Sequence, residues 1–330
     1  MKKPALLGVF SAAVLLLLTA CSSGSEPAKP AGTGDTAGGV FPVTVPTKFG
    51  DVTVAEKPER VVALGWGDAE TALELGVQPV GASDWLQFGG SGVGSWDAGK
   101  YQTPPQLIQT QDPSYEKVAA LKPDLILDVR GSGDQHRHDL LSKIAPTIGV
   151  PSGKDNYLTT TEEETTTIAT ALGRKQQGAE LLAKVDKAFS AAAAAHPGWK
   201  GKSVTVATRT SEGWGAYTQG DVRLGFLQKL GFSQSPAIAK LKPNSSGFAT
   251  SISGEQLGLL DADLIVAFPI FLDPKQITDE PQWKLIPAVS AGRSTLITGE
   301  LSNAFSAGTP GAQLYALDKL VPLIEKTGLK

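Results

Sequence analysis

Apolar and polar positions change their period several times along this chain, and each change marks an element. Between Phe41 and Leu64, "FPVTVPTKFGDVTVAEKPERVVAL" alternates apolar and polar residues on either side of Phe49-Gly50-Asp51. Period two around a glycine turn predicts a β-hairpin, and the unbroken apolar run at 61–64 predicts a buried strand after it. The loop Gly65-Trp66-Gly67 then opens "DAETALELG", an apolar helix pattern whose first turn is acidic, as the helix dipole favours. "QPVGAS" reads as the next strand, and the rhythm continues through "YEKVAALKPDLILDV" and "LLSKIAPTIGV". Such alternation predicts an α/β lobe with a largely parallel sheet.

From Thr160 to Ala195 the texture differs. Ile168, Leu172, Leu181, Leu182, Val185 and Phe189 fall at helical spacing with no intervening proline, so one long helix or a kinked pair is expected, with Gly173 and Gly178 as weak points. Past Pro197 the first rhythm resumes with the strand "KSVTVATRT" and the helix "DVRLGFLQKLGF". "ISGEQLGLLDADLIV" then aligns without a gap on the earlier "PSYEKVAALKPDLIL", Glu255 against Glu116. A repeat so widely spaced is no solenoid. It predicts two α/β lobes, at 41–159 and 197–330, joined by a linker helix at 160–196. Between them lies a cleft where the C-terminal ends of strands converge, and a ligand belongs there.

The N-terminus adds a location. "MKKPALLGVFSAAVLLLLTAC" carries two lysines, an apolar run and then small residues before Cys21, the single cysteine of the chain. The run is short of the ~20 residues a comfortable membrane span needs, and the pattern is that of a secretory signal peptide. Its end resembles the lipobox of bacterial lipoproteins, in which the cysteine becomes the lipidated N-terminus. With Cys21 so used, no thiol remains for disulfide, metal or redox chemistry. Residues 22–40 are mostly Ser, Gly, Ala and Pro and read as a flexible tether. The net charge of −3, without a Lys/Arg cluster, leaves no nucleic-acid footprint.

Enzyme signals are weak. "GWGDAE" imitates the opening of a dinucleotide-binding fingerprint, with Asp84 near the place of a ribose-binding acid, but Glu70 stands where the third glycine is needed. "GSWDAGKY" at 94–101 approximates a phosphate-binding loop, yet Tyr101 replaces the magnesium-binding hydroxyl residue. No G-x-S-x-G nucleophile elbow occurs. Of three histidines, His136 and His138 sit together at a spacing that suits a metal but more often marks a solvated helix start, and His196 ends the linker helix. No protein-borne metal site is expected.

"KPERVVALGWGDAETALELGVQPVGAS", "YEKVAALKPDLIL", "GEQLGLLDADLIV", "PQWKLIPAVSAGRSTLI" and "YALDKLVPLI" together resemble the periplasmic-binding-protein family that serves iron–siderophore, haem and vitamin B12 ABC importers. The opening hairpin is similar to actinobacterial siderophore-binding lipoproteins in particular. The resemblance implies two Rossmann-like lobes bridged by a single long helix, the class III solute-binding architecture, moving little on binding. It implies a monomeric, lipid-anchored receptor on the extracytoplasmic face of the cell membrane. Such a receptor passes a ferric siderophore to an ABC permease, with no catalysis and no intrinsic cofactor, the iron arriving inside its chelator. In that family a glutamate on each lobe docks onto permease arginines, and Glu116 and Glu255 occupy those positions. A haem or cobalamin receptor of the same fold, or an extracellular α/β enzyme, are the alternatives.

Candidate ligand contacts are the large side chains expected at strand ends and in loops. Trp66 follows the first core strand, Trp85 the second, and Trp96 lies in the glycine-rich "FGGSGVGSWDAGK". Arg130 follows "DLILDV", Arg209, Trp214 and Tyr217 follow "SVTVAT", and Phe268 follows "DADLIVA". The two arginines are included because a guanidinium fork suits chelate oxygens. Trp283 is expected to be packing. Hydroxamate, catecholate and carboxylate chelators all remain open.

Overall fold

The computed structural model describes residues 39–154 and 156–329. The segments read as signal peptide and, up to residue 38, as tether, with Cys21 between them, lie outside the described residues. The chain enters through the expected hairpin, β1 (Val43–Thr47) against β2 (Gly50–Val54), antiparallel with Thr47 opposite Gly50.

The first lobe is a parallel sheet. Its strands β3 (Val61–Ala63), β4 (Gly81–Ser83), β5 (Gln106–Ile108), β6 (Leu125–Leu127) and β7 (Thr147–Ile148) lie in the order β5-β4-β3-β6-β7. Every neighbouring pair is parallel. The central pair is buried on both faces, with Val61, Ala63, Leu125 and Leu127 in one core and Val62 and Ile126 in another. That explains the unbroken apolar runs, since covered parallel strands have no solvent face to alternate toward. Helices α1 (Asp68–Glu74), α2 (Tyr115–Ala120) and α3 (Gln135–Ser142) make the crossovers. The strand order turns back at β3, which places a crevice above its C-terminal end.

Two helices occupy the segment expected to bridge the lobes. In α4 (Thr161–Ala171), closed by a capping box between Thr160 and Glu163, Ile168, Ala169 and Ala171 pack into the first lobe's core. Gly173, at φ +64°, separates it from α5 (Lys175–Ala195). Only α5 spans. Its Leu181 packs against the first lobe's core, whereas Val185 and Phe189 enter the second lobe's. Gly178 lets it approach, because a Cβ there would stand 2.6 Å from that of Ala169.

The second lobe is not a copy of the first. It comprises β8 (Ser203–Thr210), β9 (Gly213–Tyr217), α6 (Val222–Lys229), β10 (Ser233–Gln234), β11 (Ala249–Ile252), β12 (Leu264–Pro269) and β13 (Ser294–Leu296). The sheet order is β11-β9-β8-β12-β13, with β10 alongside the start of β8. β8, β12 and β13 run parallel, but β9 is antiparallel to both β8 and β11. The residues after β8, read from sequence as a loop, are therefore a strand. Single-turn helices α7 (Pro236–Ala239), α8 (Lys275–Thr278), α9 (Pro281–Lys284) and α10 (Pro287–Ser290) precede the closing pair α11 (Gly299–Ala307) and α12 (Pro310–Glu325).

The junction between these closing helices stitches the lobes together. Arg130 donates from Nη1 to the Ala307 carbonyl at 2.6 Å, and Thr161 Oγ1 donates to the Gly308 carbonyl at 2.5 Å. The Gly311 N–H donates to both oxygens of Glu74, at 2.9 and 3.0 Å. Among the described residues, no helix is long and apolar enough to cross a membrane.

Candidate functional site

A cavity of about 700 Å³ lies between the lobes, at the C-terminal ends of β3, β4 and β5 on one side and of β9 and β12 on the other. Its first wall begins where β3 turns into α1. Gly67 has φ +85°, and a Cβ would stand 2.7 Å from the Thr309 methyl and 2.9 Å from Glu164 Oε1, so the turn requires glycine. This turn presents Trp66 to the cavity, 8 % exposed. Its ring stacks on Trp85 at 4.3 Å and 1° and on Tyr157 at 4.0 Å and 16°.

The second wall follows from the pleat of β9. Trp214 and Ala216 point to the core behind the sheet, whereas Tyr217 points to the cavity. Tyr217 stacks with Phe268 at 5.8 Å and with Phe248 at 6.3 Å. Arg223, from the first turn of α6, lies over the Tyr217 ring at 3.7 Å. Its Nε donates to Asp221 Oδ1 at 2.8 Å and its Nη2 to Oδ2 at 2.5 Å. Burial alone would lower the Arg223 pKa, but the Asp221 carboxylate and Tyr217 together carry the net shift upward. The cavity thus keeps a charged guanidinium with two of its three nitrogens committed. Phe271 stands at the rim, 65 % exposed with φ +52°. Gln87 in the lining and Tyr157 beneath Trp66 also have positive φ, so three strained non-glycine residues stand at this cavity.

Of the candidate ligand contacts, Trp66, Trp85, Tyr217 and Phe268 line the cavity. The others do not. Trp214 stacks on Trp283 at 5.4 Å in the core behind the sheet, because strand pairing turns it away from the cleft. Trp96 packs on Tyr315 of α12 at 5.6 Å and on the edge of Phe88, and so belongs to the junction between the lobes. Arg130 is 1 % exposed and lies behind the aromatic wall, 5.9 Å from both tryptophan ring centroids, with its Nη1 on Ala307. Arg209 is held by the neighbouring Thr210 carbonyl and is outside the lining. Sequence reading missed Arg223, Phe248 and the polar rim of Gln87, Gln109, Gln111 and Asn303. Arg223 was legible. The helix "DVRLGF" was placed correctly, and its N-terminal turn faces the cleft for the same reason as that of α1.

Behind the first wall lies a layer of buried carboxyls that face the interlobe junction. Asp68 accepts the Val129 N–H at 2.7 Å and the Arg130 N–H at 3.2 Å, yet burial pushes its pKa up to about 7. Glu74 is pushed up to about 8 by burial and by nearby Asp97. Glu70 and Glu164 are raised well above the usual carboxylate range, chiefly by burial. The fingerprint-like turn at the start of α1 is packed by Thr309 and the carboxyl of Glu164, a setting unsuited to a pyrophosphate. In the second phosphate-loop imitation, Lys100 is paired with Asp97 beside a single 3₁₀ turn. His138 stacks on Phe49 at 3.9 Å while His136 is exposed, and no group of three or more metal-ligating side chains occurs among the described residues.

Residues 61–300 match the periplasmic binding protein family. The chain belongs to this family. Among its relatives is the Fe(3+)-citrate-binding protein YfmC of Bacillus subtilis, 28% identical over 256 residues, which are 74% of this chain and 74% of YfmC. Another is the iron(3+)-hydroxamate-binding protein FhuD of the same organism, 29% identical over 295 residues and 86% of each chain. A solved periplasmic solute-binding protein of Mycobacterium smegmatis superposes with a TM-score of 0.76 at 26% identity, covering 87% of this chain and 98% of that one. Streptococcus pneumoniae PiaA in complex with ferrichrome superposes with a TM-score of 0.73 at 27% identity, covering 86% and 98%. The chain has the two lobes of the class III periplasmic binding proteins, and α5 packs on both of them. Glu116 and Glu255 are both exposed, each in the first turn of the helical segment that precedes its lobe's β6 or β12.

Proposed function

We propose that this periplasmic binding protein is a lipid-anchored extracytoplasmic receptor that holds a ferric siderophore between its lobes and delivers it to an ABC import permease. The observation that carries this reading is the cavity itself. Its volume of about 700 Å³ suits a ligand the size of an iron chelate, and aromatic faces from both lobes oppose each other across it. Trp66, Trp85, Tyr217, Phe248 and Phe268 would cover the organic shell, and the remaining Arg223 nitrogen would donate to a chelate oxygen. No catalytic step and no resident metal is needed, since the iron arrives already coordinated. YfmC, FhuD and PiaA support the reading through the iron compounds in their names and complexes.

Anchoring is assigned to Cys21, and docking to Glu116 and Glu255, whose exposed carboxylates would meet cationic groups of the permease. Titration of the intrinsic tryptophan fluorescence with iron-loaded and iron-free siderophores tests the binding. Saturable quenching by iron-loaded forms is expected, and its absence across the panel would sink the reading. Cys21→Ala is expected to release the protein from membranes with unchanged ligand affinity. Retention of a processed Cys21→Ala form would refute the anchor.

A further inference from the structure

Every chemical class of siderophore wraps iron in an organic shell, but the classes differ sharply in net charge. A ferric ion cancels three hydroxamate anions, so a ferric trihydroxamate is neutral, or cationic where it carries a pendant amine. A ferric tris-catecholate is trianionic, and ferric citrate complexes are anionic as well. The walls of a desolvated cavity must match that charge, because an unmatched one is costly away from water.

The charge on these walls is specific. Among the described residues Arg223 is the one cation in the lining, and Asp221 already neutralises it through two hydrogen bonds. Against it stand two lining carboxylates, Asp84 and Asp112. Asp84 accepts the N–H groups of Phe88 and Gly89, both at 2.8 Å, while Asp112 is exposed at the rim. Among the described residues no lysine or histidine lines the cavity. The two arginines that follow strands are not in the lining, Arg130 being turned to Ala307 behind the tryptophans and Arg209 to Thr210. The rest of the polar lining is neutral amide and hydroxyl, which pairs with the amide-like carbonyls and N–H groups of hydroxamate chains.

We infer that the cavity selects ferric trihydroxamates of neutral or positive charge over polyanionic catecholate and citrate chelates. This rests on the siderophore reading above and narrows it to one chemical class. The relatives do not decide it, since their names include both a citrate binder and a hydroxamate binder.

The test is isothermal titration of the purified chain with ferrichrome, ferrioxamine B, ferric enterobactin and ferric citrate, at physiological ionic strength and at tenfold lower salt. Both hydroxamates are expected to bind at least about 100-fold more tightly than enterobactin, and the gap should widen at low salt, where wall charges are less screened. Enterobactin or citrate binding within about tenfold of the hydroxamates would overturn the charge argument while leaving a siderophore receptor in place. Binding of none of the four would remove the siderophore reading and this inference together. Asp112→Lys, a change at an exposed residue, is expected to move the hydroxamate-to-enterobactin ratio about tenfold toward enterobactin. An unchanged ratio would show that wall charge does not set selectivity.

Discussion

Trp66 and Trp85 share one stack yet differ in burial, and that difference makes a quantitative prediction. Trp66 is 8 % exposed, touches Trp85 and Tyr157 face to face, and meets Phe248 at its edge across the lobes. Truncating so buried a ring removes most of its packing, and Trp66→Ala should destabilise the unliganded protein by about 3–5 kcal/mol. Trp85 is only partly buried and lies on the cavity side of the pair, so Trp85→Ala should cost roughly 1–2 kcal/mol, in proportion to the smaller area it buries. At roughly 2–4 °C per kcal/mol for a large domain, the first variant should melt about 10 °C below wild type and the second only a few degrees below it. Both should weaken ligand binding by about tenfold or more, because each supplies an aromatic face to the cavity. Differential scanning calorimetry of the unliganded variants, beside titration with an iron-loaded siderophore, separates the two effects. Equal melting temperatures for the two variants would refute the assignment of Trp66 as both core and wall. A Trp85→Ala protein with undiminished affinity would refute the wall.

Trp214→Ala should lower thermal stability while changing ligand affinity less than about twofold, since the ring packs on Trp283 behind the sheet. A large affinity loss in a variant of normal stability would contradict that placement. The Glu74 carboxyl is raised from 4.5 to about 8 in the folded chain, so the folded state holds this proton more tightly than the unfolded one. Its contribution to stability is complete below the unfolded value and is lost as pH rises toward 8, and Glu74→Gln should flatten the fall in melting temperature over that range. Glutamine still offers one oxygen to the Gly311 N–H, and an unaltered pH profile in this variant would refute the role of Glu74. Glu116→Arg combined with Glu255→Arg should abolish siderophore uptake by cells while the purified receptor binds as before. Normal uptake by the double variant would mean the repeated glutamate has no part in docking.

Periodicity alone determined the hairpin, the central strands, α1, α6 and the division into two lobes. Those features are legible because burial on a regular element imposes a period on the residues that form it, 2 for a half-buried strand and 3.6 for a helix. The repeated glutamate was visible for the same reason, as one unit of strand and helix used twice. What periodicity could not decide was pairing. "GWGAY" is too short and too rich in glycine to announce a strand, and only its hydrogen bonds with β8 and β11 make it one. Once paired, alternation sends Trp214 backward and Tyr217 into the cleft, a choice that turns on a one-residue register. Direction decided the arginines in the same way. Arg130 follows a strand as a ligand-binding residue would, but the Ala307 carbonyl arrives from α11, far along the chain, and captures it. Arg223, inconspicuous in sequence, becomes the cavity's cation because α6 starts at the cleft and Tyr217 lies beneath it. Local chemistry therefore set the elements, while contacts between residues distant in sequence set which side chains meet a ligand and with what charge.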